Sequence, residues 1–280
     1  LNIEYFGENS NRIIYGIFNC GSSLSIVNSK LSICTNKQIN ITGIFNNGGI
    51  NTHLNTKADN LSVVNCKIYI QIQPEKYIFP CEGCGIHNFY ANSVQIADNY
   101  IEVINKGEGE MQKAIGIYNN GRFCRFSNNN IKANGSHNKV ICLEAAHACG
   151  MIDEGMYSLI SNSNIVGEWG GSCVGITLKG EFTKITGCKI LSTHTIKGTT
   201  VKILGRKIII SDNIITSTSR NARIIYCSAK IVNIIGNIME VVINPDECIT
   251  GVGGYFENSN NVIFKSNQLL TIKTCGVYVY

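Results

Sequence analysis

At 280 residues with 44% hydrophobic content, the chain can bury a continuous core, and its three prolines leave sheet ladders unbroken. The net charge of +5 is mild and spread without a dense Lys/Arg run, which argues against a nucleic-acid partner. No apolar run approaches the roughly 20 residues of a membrane helix, so membrane insertion is not expected.

No secretory signal precedes the first repeat and the chain starts at Leu1, so the expectation is an excised part of a longer protein. Residues 1–14 read as a lead-in strand or partial coil. From there a six-residue motif recurs nine times, at residues 26–31, 63–68, 96–101, 126–131, 160–165, 185–190, 210–215, 234–239 and 264–269. Its third position holds Asn28, Asn65, Asp98, Asn128, Asn162, Gly187, Asp212, Gly236 and Ser266. These residue types tolerate a tight bend, by adopting positive φ or by bonding their own backbone. On either side apolar residues alternate, as in Leu61 and Val63 before the bend and Ile68 and Ile70 after it. Period two with β-branched residues is strand chemistry, so each copy is strand, sharp corner, strand.

A glycine column runs ahead of the corners. Gly16, Gly116 and Gly175 each precede the bend residue by twelve positions, as do Thr200, Ile224 and Gly254, while Gly85 precedes Asp98 by thirteen. Such constancy is what a repeated unit demands, because a one-residue slip turns every core side chain to solvent. Repeat length varies between 24 and 37 residues, with the variation in connectors. All-strand patterning at this period predicts an all-β parallel β-helix solenoid of about nine to ten coils, one domain spanning 1–280.

The connectors carry the chemistry. The polar stretch 46–60 and the segment 71–84, with Pro74 and Pro80, read as surface loops. The fifth coil gains about eight residues between Cys142 and Asn162, bringing Glu144, His147, Asp153 and Glu154. The next connector holds Glu168 beside Trp169, the only tryptophan. Two carboxylates across a groove suit glycosidic cleavage, so Glu144, Asp153, Glu154 and Glu168 are candidate catalytic residues, and His147 and Trp169 candidate substrate contacts. His87 occupies the Phe18 and Tyr118 position and reads as a ladder residue, and Tyr15, Phe18, Phe45, Phe89, Tyr118, Tyr226 and Phe256 cluster around the glycine column as aromatics covering the sheet. Thirteen cysteines read mostly as free, packed thiols, and the lone Cys81-x-x-Cys84 pair lacks the second pair of a zinc site, so neither metal nor cofactor is expected.

The copies at residues 210–215 and 234–239 resemble the I-S-x-N-x-I coil signature of right-handed parallel β-helix proteins, and the likeness spans nearly all of 13–280. That superfamily includes pectate lyases, polygalacturonases, alginate-modifying enzymes, phage tailspikes and surface adhesins. The polygalacturonase set of N-x-D, D-D and G-H-G is not assembled here, since no D-D and no G-H-G occurs. The pectate-lyase W-[IV]-D-H and R-x-P-x-x-R segments are absent as well. The resemblance therefore implies the tailspike or surface-fibre type: a glycan-recognising rod, extracellular, cell-surface or virion, in a homotrimer or larger fibre. A polysaccharide lyase or glycoside hydrolase is the alternative, and a structural virion or surface spacer the third.

Overall fold

The computed structural model describes residues 13–48, 58–74, 81–107, 112–135, 148–218, 221–242, 250–271 and 275–279, and every element named in it is a β-strand. The first coil sets the plan. Strand β1 (Ile13–Asn19) is followed by the three-residue β2 (Ser25–Val27), the Asn28 corner, and β3 (Lys30–Thr35). Each strand pairs in parallel with its counterpart one repeat later, β1 with Asn40–Asn47, β2 with Ser62–Val64 and β3 with Lys67–Ile72. Repetition builds three parallel sheets through nine coils, and Cys275–Val279 adds one more rung to the first sheet. At about 4.8 Å per rung the stack is about 40 Å long.

The corner prediction holds in dihedral terms. All nine bend residues have positive φ, from 48° at Asn162 to 68° at Gly236. From Cys66 onward the residue after each bend points inward and links the coils. Asn99 Nδ2 donates to Asn129 Oδ1 (3.0 Å), Cys188 N to Asn213 Oδ1 (2.8 Å), Asn213 Nδ2 to Asn237 Oδ1 (2.9 Å), and Asn237 Nδ2 to Asn267 Oδ1 (2.9 Å). A second interior ladder of Asn19, Asn46, Asn88 and Asn119 runs where the first sheet turns toward the second. Between these ladders lie apolar columns such as Ile44, Ile86, Ile117, Met151, Ile176 and Val201, all essentially inaccessible to solvent. Each such side chain contributes about 1.5–3 kcal/mol by burial.

The glycine column has a steric cause at its centre. A Cβ on Gly116 would lie 2.2 Å from Ile131 Cγ2 and 2.4 Å from the Gly150 carbonyl oxygen. Gly150 shows that the fifth coil keeps the twelve-residue spacing to Asn162, so its insertion lies upstream, in 136–147, outside the described residues. One spacing differs from expectation: Gly254 pairs with Ile225, not with Ile224, so the last full coil is one residue longer in that half. Phe256 is buried in the core instead of joining the surface aromatics. Ten of the described cysteines are free thiols, Cys81 and Cys84 included.

The corner ladder yields a stability test. Replacing Asn213 by Leu leaves the Cys188 amide and the Asn237 side chain short of partners inside the stack, each a penalty of about 1–3 kcal/mol. Urea unfolding of the variant is expected to show a lower midpoint with little change in slope.

Candidate ligand-binding groove

The outward side chains of the first sheet form columns, one residue per coil. The pairings align Phe45, His87, Tyr118, Ile152, Thr177, Lys202, Tyr226 and Tyr255 in one of them. Beside it runs Cys84, Ile115, Cys149, Val174, Thr199 and Arg223. Between them and the margins lies an open groove of about 870 Å³. Its floor is Ile115, Cys149 and Val174; Glu82, Lys113 and Ser172 stand at one end of the strands, Lys179 and Glu257 at the other.

The N-terminal half of this face is aromatic. Phe18 and Phe45 stack with centroids 5.6 Å apart, Phe45 and Phe89 at 6.0 Å, and the His87 ring lies 4.7 Å from that of Tyr118. His87 is thus a rung of the column, and burial there lowers its pKa to about 4. The C-terminal half is aromatic and charged: Tyr226 and Tyr255 stack at 5.7 Å, Arg223 sits 4.6 Å over the Tyr255 ring, and the Tyr226 hydroxyl donates to Glu257 (2.9 Å). In the middle, Lys179 Nζ lies 2.7 Å from Glu154 Oε1. Burial works against the Glu154 charge, but hydrogen bonds from Lys179 and Tyr118 outweigh it and hold its carboxyl below the ordinary range. Burial and the same bond to Glu154 push the Tyr118 phenol well up, so it is a proton donor at any ordinary pH. Burial raises Glu82, with Lys113 opposing.

The candidates named from sequence are dispersed. Glu154 bonds Lys179 and Tyr118 at the margin of the groove and lines the neighbouring hollow with Lys179, Glu181 and Arg206. Asp153, its neighbour, points inward and ends the second asparagine ladder, fully buried. Its Oδ1 accepts from Asn119 Nδ2 (2.7 Å) and Ser158 Oγ (2.9 Å), and its Oδ2 from Thr183 Oγ1 (2.7 Å). Glu168 belongs to the third sheet, pairs with Asn134 and Thr193, and meets Lys132 at 2.5 Å. It stands at the opposite end of a first-sheet strand from Glu154, about 20 Å away at 3.3 Å per residue. Trp169, with φ of 60°, occupies the corner just after it. Glu144 and His147 lie outside the described residues. Among the described residues no group of three or more His, Cys, Asp or Glu side chains is placed to hold a metal.

Lys113, Lys202, Arg223 and Tyr255 were not singled out from the sequence, though a signal existed. The residue two after each glycine-column position gives His87, Tyr118, Ile152, Thr177, Lys202 and Tyr226, and the residue four after gives Glu154 and Lys179.

No protein-family model and no curated protein matches the chain. Solved structures do. A tailspike protein of E. coli bacteriophage HK620, solved in complex with a pentasaccharide, aligns with a TM-score of 0.51 at 10% identity, over 100% of this chain and 57% of that one. The DFA-IIIase of Arthrobacter chlorophenolicus A6, in complex with DFA-III, gives 0.48 at 11%, over 89% and 57%. The Dettilon tailspike gives 0.44 at 11%, over 97% and 62%. This chain therefore spans about three fifths of the length of these structures.

Two titrations test the electrostatics. For Asp153, burial is the leading cause of a raised pKa, so its stabilising contribution is complete below the ordinary carboxylate pKa and is lost as pH rises through the raised value. Asp153→Asn is expected to flatten that fall in denaturation midpoints while keeping the fold, whereas Asp153→Leu lowers the midpoint at every pH. For His87 the sign is reversed: its contribution is present above the ordinary value of 6.5 and is lost as pH falls toward about 4. An NMR titration is expected to find this imidazole neutral at pH 5.5. The alignment with the HK620 tailspike and the three-sheet stacking establish the architecture as a right-handed parallel β-helix.

Proposed function

We propose that the chain is a glycan-recognising β-helix of the phage tailspike or cell-surface fibre type, whose ligand lies along the groove of the first sheet. The observation that carries this reading is the groove itself. It is long, open, straight and parallel to the stack, with stacked aromatics and alternating Lys, Arg and Glu side chains along its walls. An extended polymer with hydroxyl groups and apolar ring faces fits such a lining, whereas a compact metabolite calls for an enclosed pocket. The pentasaccharide bound to the HK620 tailspike is consistent with a glycan as ligand. Extracellular, surface or virion location and assembly into a homotrimer or larger fibre belong to the same proposal.

Carboxylate spacing favours recognition over hydrolysis. Glycosidic hydrolysis needs two carboxyl groups within about 5–10 Å. The two carboxylates of the groove lining, Glu82 and Glu257, stand at opposite ends of the strands and six rungs apart, about 30 Å. A polysaccharide lyase is the second reading, because Tyr118, Glu154 and Lys179 form a hydrogen-bonded set that can move a proton within the groove.

The test is a glycan array read beside a reducing-end and unsaturated-uronide release assay. The wild type is expected to bind at least one glycan without releasing product. Arg223→Ala and Tyr226→Ala are expected to weaken binding by about tenfold or more, the effect of one lost anchor, while Glu168→Gln leaves it intact. Release that Glu154→Gln abolishes would replace the recognition reading with the enzymatic one. Neither binding nor release from any substrate would leave a structural spacer.

A further inference from the structure

We propose a second docking face, built for an anionic lipid surface, on the outer side of the second sheet, which the groove does not use. Three columns of side chains point outward there. One begins at Ser25 and runs through Gln95, Arg125, Leu159, Lys184 and Ile209 to Ile263; a second runs from Val27 to Lys265. The third is the left-handed corner where the first sheet turns into the second. It starts with Ser23, Asn60 and Ser93 and ends with Asn261, all at positive φ.

In the middle coils this corner column changes character. Phe123, Tyr157, Phe182 and Ile231 stand at φ of 56–60°, a conformation that bulky and β-branched residues rarely adopt. The first coils meet the same geometry with Ser and Asn, so the backbone does not require large apolar groups at this corner. The rings stack on one another, Phe123 on Tyr157 at 5.0 Å and Tyr157 on Phe182 at 4.6 Å, and Lys207 Nζ closes the column 4.1 Å from the Phe182 centroid. Yet Phe123 remains 58% exposed and Tyr157 44%. Leu159, Ile209 and Ile263 extend the exposed apolar surface across the sheet. Exposed apolar surface grouped on one face marks a contact.

Charge decides the occupant. None of the three columns holds an Asp or Glu in any coil, while Arg125, Lys184, Lys207 and Lys265 stand among the apolar residues. Carboxylates occur only at the margins, where Glu181 pairs with Arg206 (3.5 Å) and Lys207 (3.9 Å), and where Asp98 and Asp212 hold bends. A second copy of this face would set Arg125, Lys184 and Lys265 against cations of the same columns, with carboxylates only at the margins. A layer of anionic headgroups over an acyl boundary supplies negative charge and apolar contact together, and a flat, rigid sheet can lie along it.

The experiment is flotation of the whole chain with vesicles of phosphatidylcholine alone or mixed with phosphatidylglycerol, at low and high salt. Binding is expected only to the mixed vesicles and is expected to fall with salt. At about fivefold per basic residue near the surface, Arg125→Glu with Lys184→Glu is expected to weaken it about 25-fold or more. Phe123→Ser with Ile209→Ser is expected to weaken it too, and Lys202→Glu with Arg223→Glu in the groove to leave it unchanged. All these side chains are at the surface, and matching thermal melts confirm folded variants. No binding to the mixed vesicles overturns the proposal. So does vesicle binding that the groove pair abolishes and the face pairs do not, or binding of heparin but not of vesicles through Arg125 and Lys184.

Discussion

Parallel stacking with no slip in register is the constraint on which everything else in this molecule rests. Side chains alternate across a strand, so every coil must enter and leave its corner at the same residue as the coil below, or the core inverts. The left-handed bends enforce this. A bend at Asn128 or Gly187 sends the following side chain inward, and there Asn, Ser or Cys accepts from the preceding coil's amide before the strand resumes. Apolar burial supplies the bulk of the stabilisation, but the polar ladders decide which register is stabilised. A stack held by isoleucine columns alone would tolerate sliding by two residues; one threaded by Asn88, Asn119 and Asp153 would not.

The same constraint explains how function is written on the rod. Interior columns are narrow in chemistry, since each rung must match its neighbours in size and hydrogen bonding. Exterior columns are free of that demand, and here they diverge. The first sheet carries aromatics giving way to Lys202, Arg223 and Tyr226; the second carries rings, isoleucines and basic residues without acid. Two faces of one scaffold thus present different chemistry while sharing one core.

What was legible in the sequence follows the same division. The bends at Asn28 through Ser266 and the apolar alternation are local, repeated signals, and they reveal the solenoid directly. The glycine column is legible too, because close approach of coils at Gly116 admits nothing larger. The candidate site was less so. Glu154 and Glu168 are close in sequence but stand at opposite ends of a strand, whereas Glu154 and Lys179, one coil apart, meet at 2.7 Å. In a solenoid spatial neighbours are one repeat distant, and sequence proximity misleads. Asp153 misled for another reason: an acid in a loop-like composition looks exposed, and only the register reveals that it faces inward.

Between each bend and the next position of the glycine column, on the way from the third sheet to the first, the chain length varies from 12 residues (Asp212 to Ile224) to 22 (Asn128 to Gly150), and in two coils single strands, Asn164–Leu178 and Lys189–Ile203, run straight through that corner. Neither asparagine ladder lies at this corner, so residues can be gained or lost here without disturbing those ladders. The corner also borders the groove. Ligand preference can therefore drift by insertion and deletion along a single seam, coil by coil, while the stack beneath keeps its stability.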